Sequence, residues 1–102
     1  MYRARDRVEN EEWLAHIDRA ADRLELGSEA RSVAVDLFLS NVPDEERSKP
    51  AMAAASLYAG ALIAGEERSQ GAVAEAMDVT RLSVQNHWKA LLESSGFRPP
   101  EW

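Results

Sequence analysis

The sequence predicts an all-α domain of five helices, and three observations support this prediction. Apolar residues recur at three- and four-residue spacing, which is the period of amphipathic helices and not of strands. Glycine, proline and helix-capping residues lie where that periodicity is interrupted. The chain has 102 residues, 45% of them hydrophobic, which suffices for one modest core without disulfides. We therefore expect a single domain over residues 10–95, with a flexible basic arm over 1–9 and an extended tail over 96–102.

The first two helices are each predicted from one apolar stripe. In the first helix, residues 10–26, the stripe contains Trp13, Ile17, Ala20 and Leu24. In the second, which runs from Ser28 to about Asn41, the stripe contains Ala30, Val33, Ala34, Leu37 and Phe38. We expect Gly27 to end the first helix, Ser28 to cap the second, and Pro43 to stop it.

The third predicted helix, residues 50–64, has almost no polar face. A helix that is apolar all round belongs in the middle of a bundle, so we expect the other helices to surround it. Ser48 and Pro50 indicate its start, and Gly65 indicates its end. Gly60 in its interior costs about 1 kcal/mol relative to alanine, which predicts close packing against a neighbouring helix at that point.

Two further helices, at about 70–77 and 80–94, have the pattern of a helix-turn-helix over residues 69–93. Ser69 and Thr80 are the expected N-caps of these helices. A small residue, Ala74, would let the two helices cross closely, and Val79 would fill the turn with an apolar side chain. A helical corner without any role in DNA binding shows the same pattern, so both interpretations stay open at this level.

The last helix is predicted to have one buried stripe and one free face. Its buried stripe contains Val84, Trp88 and Leu91, and its free face contains Leu82, Gln85, Asn86 and Lys89. Glutamine and asparagine can recognise adenine through paired hydrogen bonds, and an exposed leucine can contact a thymine methyl group. Lysine and arginine can bind phosphate. The free face therefore has the side chains that a major-groove helix needs.

The segment KPAMAAASLYAGALIAGEERSQGAVAEAMDVTRLSVQNHWKALLE resembles the second cyclin-like repeat of archaeal transcription factor B, the counterpart of eukaryotic factor IIB. The matching landmarks are Leu57, Tyr58, Ala59, Gly65, Glu66, Arg68, Ser69, Gln70, Val73, Ala74, Val79, Thr80, Val84, Trp88 and Lys89. With the upstream segment LELGSEARSVAVDLF, the resemblance covers most of residues 10–94. It implies the five-helix cyclin-like fold of the factor IIB type, in which the third helix is central.

The resemblance also implies a function. In that family the helix-turn-helix of the second repeat reads a promoter element beside the TATA box, and the repeats bind the TATA-binding protein. The base-reading positions fall on Leu82 and Gln85, where the family usually has a small aliphatic residue and an arginine. The residues that we predict to contact DNA are Ser69, Gln70, Thr80, Arg81, Leu82, Gln85, Asn86 and Lys89.

Two features of the full factor are missing from this sequence. The factor has a zinc ribbon and two cyclin-like repeats, whereas this chain has no cysteine and one repeat. We therefore expect a regulator or accessory factor that acts by itself, without cofactor or metal, or as a homodimer that recreates the tandem repeats. Its partners would be promoter DNA and the TATA-binding protein or a polymerase component. An alternative is a protein-interaction module that binds such a component and has little affinity for DNA.

The net charge of −6 has the wrong sign for a general DNA-binding protein. The basic residues, however, concentrate towards the two ends, with three arginines against one acid in residues 1–7 and three basic residues against two acids in 79–102. Ten arginines, only two lysines and an acid excess are typical of proteins from extreme halophiles. In molar salt the screening length falls to about 3 Å, so net charge says little about partners there.

Several function classes are excluded by the residues that the chain lacks. Two histidines and no cysteines are too few for a metal site, and no set of nucleophile, base and oxyanion donors indicates an enzyme. The adjacent carboxylates Glu66 and Glu67 are interpreted as solvated turn residues. No apolar stretch reaches the roughly 18 residues needed to cross a bilayer, and the first residues lack the apolar part of a signal peptide. We expect a cytoplasmic protein.

Overall fold

The computed structural model describes residues 9–94 and Gly96, and this part of the chain contains five α-helices and no strand. The helices are α1 (Glu11–Arg23), α2 (Ser28–Ser40), α3 (Lys49–Ile63), α4 (Gln70–Met77) and α5 (Arg81–Ser94), and a 3-10 turn at Glu46–Ser48 precedes α3. The predicted all-α class and helix number are confirmed. Apart from Glu9 and Gly96, the predicted arm and tail lie outside the described residues.

Helix α3 is the centre of the fold and packs against each of the other four helices. Its residues 53–61 are all buried, including five alanines and Gly60. The small side chains among them let the surrounding helices approach the α3 backbone closely. Because α3 is surrounded by the other helices, it has no polar face. The central position of the third helix is therefore as predicted.

The buried stripe of α1 differs from the predicted one. Leu14, Ile17, Ala20 and Ala21 are the buried residues of this helix, whereas Trp13 and Leu24 are only partly buried. Trp13 lies at the edge of the core, where its Nε1 donates a hydrogen bond to Glu46 Oε2 at 3.4 Å. A large ring with a polar N–H suits such a boundary, and the smaller aliphatic side chains face α3 instead. In α2, Val33 is likewise half-buried and Leu39 is buried in its place.

The prediction that Gly27 ends the first helix was wrong. Helix α1 ends at Arg23, and Glu25 adopts the left-handed conformation with φ of 57°. The amide of Leu26 then donates to Ala21 O at 2.9 Å, which closes a Schellman motif and directs Leu26 into the core. Gly27 is extended and occupies the N-cap position of α2, so Ser28 is the first helical residue and makes no capping hydrogen bond.

Ion pairs on the outer surface join α1 to α2. Arg31 Nη1 lies 2.7 Å from Asp22 Oδ1 and 3.0 Å from Asp18 Oδ1. Hydrogen bonds to Asp22 and then to Asp18 raise the pKa of the Arg31 guanidinium above its ordinary range. Near the start of α3, hydrogen bonds from Lys49 and Trp13 lower the pKa of Glu46. Neither shifted group belongs to α4 or α5.

Candidate nucleic-acid interface

Helices α4 and α5 are joined by the three residues 78–80. Asp78 adopts the left-handed conformation, with φ of 59°, and the amide of Val79 donates to Ala74 O at 3.0 Å. Aspartate tolerates this conformation better than most residues other than glycine, because its short polar side chain can hydrogen-bond locally. Ala74 is buried and Val79 packs against the core, as the sequence predicts. The turn is therefore short, and its middle residue, Val79, packs it against the hydrophobic core.

Both predicted N-caps of this helix pair are present. Ser69 Oγ accepts a hydrogen bond from the Ala72 amide at 3.0 Å. Thr80 Oγ1 accepts one from the Ser83 amide at 3.2 Å and lies 2.9 Å from Ser83 Oγ. Each cap satisfies an amide that has no partner within its own helix, so the starts of α4 and α5 are well defined.

Helix α5 has a buried side that anchors it to the rest of the fold. Val84, Trp88, Leu91 and Leu92 are all buried. The Trp88 ring meets the Tyr58 ring of α3 edge to face, with 5.3 Å between centroids and 70° between planes. This geometry is one of the favoured aromatic arrangements, and it adds to the area that the two rings bury. The orientation of α5 about its own axis is therefore determined by the core.

The opposite side of α5 contains the residues that the sequence predicts to be free. Gln85, Asn86 and Lys89 are exposed, and so is Arg81 at the start of the helix. Leu82 is 65% exposed, and it is the only large hydrophobic residue so exposed within the described residues. Arg81, Leu82 and Gln85 line one shallow depression. We call Leu82, Gln85, Asn86 and Lys89 the α5 face.

A second depression separates the α5 face from the turn between α3 and α4. Tyr58, Leu62 and Trp88 form its apolar lining, and Glu67, Gln85 and Lys89 form its polar rim. Lys89 Nζ lies 5.6 Å from the centroid of the Trp88 ring, which is within the range of a cation–π contact. Lys89 is thus held near the helix while its ammonium group stays exposed.

Gln70 differs from the other predicted contact residues. It is half-buried, and its Oε1 atom is shielded from solvent without a hydrogen-bond partner among the described residues. An oxygen in that position cannot accept a hydrogen bond from a base. The remaining predicted residues, Ser69, Thr80, Arg81, Leu82, Gln85, Asn86 and Lys89, are all exposed on α4 or α5 or at their starts.

The interpretation of Glu66 as a solvated turn residue was wrong. Glu66 Oε1 accepts a hydrogen bond from the Gly27 amide at 3.0 Å, across 39 residues of sequence. Arg68, two residues later, donates from all three guanidinium nitrogens to backbone carbonyls. The bond of Glu66 to Gly27 and those of Arg68 to Leu24 and Glu25 could not have been indicated by a local pattern, because these partners lie in the turn between α1 and α2. Glu67 is exposed, as expected.

The described residues contain neither a metal-binding cluster nor a membrane span. No group of three or more histidine, aspartate or glutamate residues could hold an ion within them. None of the helices found there is both long enough and apolar enough to cross a bilayer.

Comparison with known proteins identifies relatives that align with most of this chain. The chain is 32% identical over 88 residues to transcription initiation factor IIB of Pyrococcus abyssi, an alignment that covers 83% of this chain and 29% of that protein. It is 36% identical over 81 residues to transcription initiation factor IIB 1 of Thermoplasma volcanium, covering 76% of this chain and 26% of the relative. The chain thus spans less than a third of the length of these two relatives.

A relative from a halophile is also found. Transcription initiation factor IIB of Haloarcula vallismortis is 29% identical over 84 residues, covering 79% of this chain and 74% of that sequence. The description of the family that matches is the transcription factor TFIIB repeat, and the match extends over residues 8–94. The family consists of transcription factors and not of enzymes, which confirms the expectation that this chain is not an enzyme. The resemblance inferred from the sequence is likewise confirmed, and the chain belongs to the transcription factor TFIIB repeat family.

Proposed function

We propose that this protein is a DNA-binding transcription regulator or accessory initiation factor that inserts α5 into the major groove. The observation that supports this proposal best is the α5 face, which is exposed on a helix whose opposite side is buried. Helices α4 and α5 would form a helix-turn-helix in which α5 is the recognition helix. With 14 residues, α5 is about 21 Å long, enough to follow the groove across several base pairs.

Each residue of the α5 face has a role in this proposal. Gln85 and Asn86 would recognise adenine through paired hydrogen bonds, and Leu82 would contact a thymine methyl group. Arg81 and Lys89 would bind phosphates on either side of the groove. The caps Ser69 and Thr80, together with Gln70, would lie towards the DNA backbone at the two helix starts. Because Trp88 packs against Tyr58 of α3, the backbone of α5 needs little reorganisation on binding.

The charge of the chain suggests the conditions and partners for binding. The acid excess disfavours nonspecific attraction to DNA in dilute buffer, and molar salt would screen that repulsion. The named relatives are transcription initiation factors, so we propose the TATA-binding protein or a polymerase component as a second partner. Pairing of two copies would recreate the tandem repeats of the full factor. We place this activity in the cytoplasm.

The test is a selection of bound duplexes from a random pool at molar potassium chloride, with and without TATA-binding protein. Wild type should enrich a defined sequence, and Gln85→Ala should relax the preference at one or two base pairs. The loss expected for one bidentate contact is about 1–3 kcal/mol, or roughly 5- to 150-fold in discrimination. Ser32→Ala, which alters an exposed polar residue of α2, is the control and should select the wild-type sequence. Absence of enrichment under both conditions would refute the proposal.

One observation favours a second candidate, a module that binds a protein partner and has little affinity for DNA. Leu82 is 65% exposed, and a protein partner that covered it would bury its apolar surface. Under this alternative, Leu82→Ala would abolish binding to TATA-binding protein or polymerase, whereas Gln85→Ala and Lys89→Ala would have no effect on that binding. The same variants assayed against DNA and against protein therefore separate the two functions.

A further inference from the structure

The turn between α3 and α4 is bound to the turn between α1 and α2 by two side chains. Arg68 Nε donates to Leu24 O at 2.9 Å, and its Nη2 donates to Glu25 O at 3.3 Å. In the opposite direction, Glu66 Oε1 accepts the hydrogen bond of the Gly27 amide at 3.0 Å. We call Glu66 and Arg68, with these three backbone partners, the latch.

The charges of the latch match the helix ends that they contact. Leu24 and Glu25 follow the last turn of α1, where carbonyl groups lack partners and a cation is favoured. Gly27 precedes the first turn of α2, where amides lack partners and an anion is favoured. Each latch side chain therefore satisfies backbone groups that the two helices leave unpaired. These bonds are charge-assisted, which makes them stronger than hydrogen bonds between neutral groups.

Gly27 is suited to this contact because it has no side chain. A Cβ atom added to Gly27 would lie 3.0 Å from Glu66 Oε2, tighter than ordinary van der Waals contact. The φ of Gly27 is −77°, which any residue can adopt, so the requirement is for space and not for conformation. The carboxylate of Glu66 can approach the backbone because that space is empty.

The latch leads directly into the proposed DNA-binding helices. Arg68 also donates from Nη1 to the carbonyls of Glu66 and Glu67, at 3.0 and 3.2 Å, so the guanidinium folds the turn around itself. The next residue is Ser69, the N-cap of α4. The latch is therefore directly adjacent to the start of α4, and the three residues 78–80 join α4 to α5.

We propose that Glu66 and Arg68 are positioning residues, which set the affinity for DNA by holding α4 and α5 in place and do not contact DNA themselves. This inference rests on the proposed function. An arginine beside the first helix of a helix-turn-helix would ordinarily be expected to bind phosphate. Here Nε, Nη1 and Nη2 of Arg68 all donate to backbone carbonyls of the protein, which leaves the group poorly placed to do so.

Replacing Glu66 by alanine distinguishes electrostatics from positioning, because the two predict opposite changes in the affinity for DNA. Removing an acidic side chain should strengthen binding to a polyanion if charge alone matters. If the latch positions the helices, Glu66→Ala should weaken binding, by about 2- to 30-fold. Glu67→Ala is the matched control, since it removes the same charge from the neighbouring exposed residue. Glu66→Gln keeps an acceptor oxygen and should restore most of the affinity.

Arg68 is tested by the salt dependence of binding. Arg68→Ala should weaken binding to a similar degree without changing the slope of log K against log salt. A phosphate contact would instead lower that slope by about one unit. Arg68→Lys keeps the charge but not the planar fork, so it should fail to restore affinity if geometry matters. A lowered slope for Arg68→Ala, or binding by Glu66→Ala as tight as by Glu67→Ala, would overturn the inference.

Hydrogen exchange of the free protein tests the latch without DNA. Glu66→Ala and Arg68→Ala should speed exchange of the amides of α4, while those of residues 53–61 in α3 should stay as protected as in wild type. Glu66→Gln should restore protection, and Glu67→Ala should leave it unchanged. If wild type binds no DNA, the proposed function fails. Hydrogen exchange alone then decides whether Glu66 and Arg68 hold α4 in place. Unchanged exchange in α4 of both alanine variants would then overturn the latch as a positioning device.

Discussion

Gly60 of α3 packs directly against the backbone of Ala34 in α2. A Cβ atom added to Gly60 would lie 2.8 Å from the Ala34 nitrogen and 2.9 Å from its Cα, distances that no flexible side chain can relieve. Gly60→Ala should therefore destabilise the domain by about 1–3 kcal/mol, despite a gain of about 1 kcal/mol in helix propensity. Gly71→Ala in α4, with no atom within 4 Å of the added Cβ, should be neutral or stabilising. Urea unfolding measures both, and equal stability of the two variants would contradict this packing.

Ala54 and Ala55 test the central position of α3. Both are fully buried, so Ala54→Glu or Ala55→Glu would place an unpaired charge in the core at a cost of several kcal/mol. Either variant should lose its cooperative thermal transition in circular dichroism. Ala15→Glu, on the exposed side of α1, is the control and should melt close to wild type. Melting of the core variants at the temperature of the control would refute the arrangement.

The acid excess predicts that stability depends on salt. Residues 9–94 contain sixteen acidic and eight basic side chains, and like charges repel one another in dilute buffer. Salt at molar concentration reduces the screening length to about 3 Å and should relieve this repulsion. The melting temperature should therefore rise between low and molar potassium chloride, whereas equimolar sucrose, which does not screen charge, should not reproduce the whole rise. A melting temperature independent of salt would count against the halophile interpretation.

Lys89 should contribute to DNA binding through its positive charge and not by recognising the base sequence. Lys89→Ala should weaken binding to all duplexes alike and lower the slope of log K against log salt by about one unit. Arg23→Ala removes an equal charge from the exposed surface of α1 and should leave that slope unchanged. Anisotropy titrations at several potassium chloride concentrations measure both slopes. If the slope of log K against log salt were the same for Lys89→Ala and Arg23→Ala, the proposed contact of Lys89 with DNA would be refuted.

Local sequence patterns were sufficient to predict the helices and the α5 face. The buried side of α5 contains Val84, Trp88 and Leu91, as predicted. The 3.6-residue period of a helix determines which positions face the core once the apolar residues are known. The caps Ser69 and Thr80 were predictable for a similar reason, since a cap depends on residues within one turn of it. The central position of α3 followed from composition, because no other helix lacks a polar face.

Features that depend on distant contacts were not predictable. Helix α1 ends at Arg23 because the burial of Leu26 requires an earlier reversal, for which Glu25 adopts a conformation that glycine usually supplies. Glu66 was interpreted as a solvated turn residue, and no contact was predicted for Arg68, because the partners of both lie 39 to 44 residues earlier in the chain. Gln70 was predicted to contact DNA, but its Oε1 is shielded by packing that no local pattern describes.

The most direct test of the account is to map which residues respond to DNA. Adding the duplex selected by wild type to isotope-labelled protein and recording amide chemical shifts would locate the interface residue by residue. We predict that the largest changes fall on Leu82, Gln85, Asn86 and Lys89 and at the start of α4, while the exposed side of α1 and α2 stays unchanged. Shifts confined to α1 and α2, or no shifts at saturating duplex, would contradict the claim that α5 binds DNA.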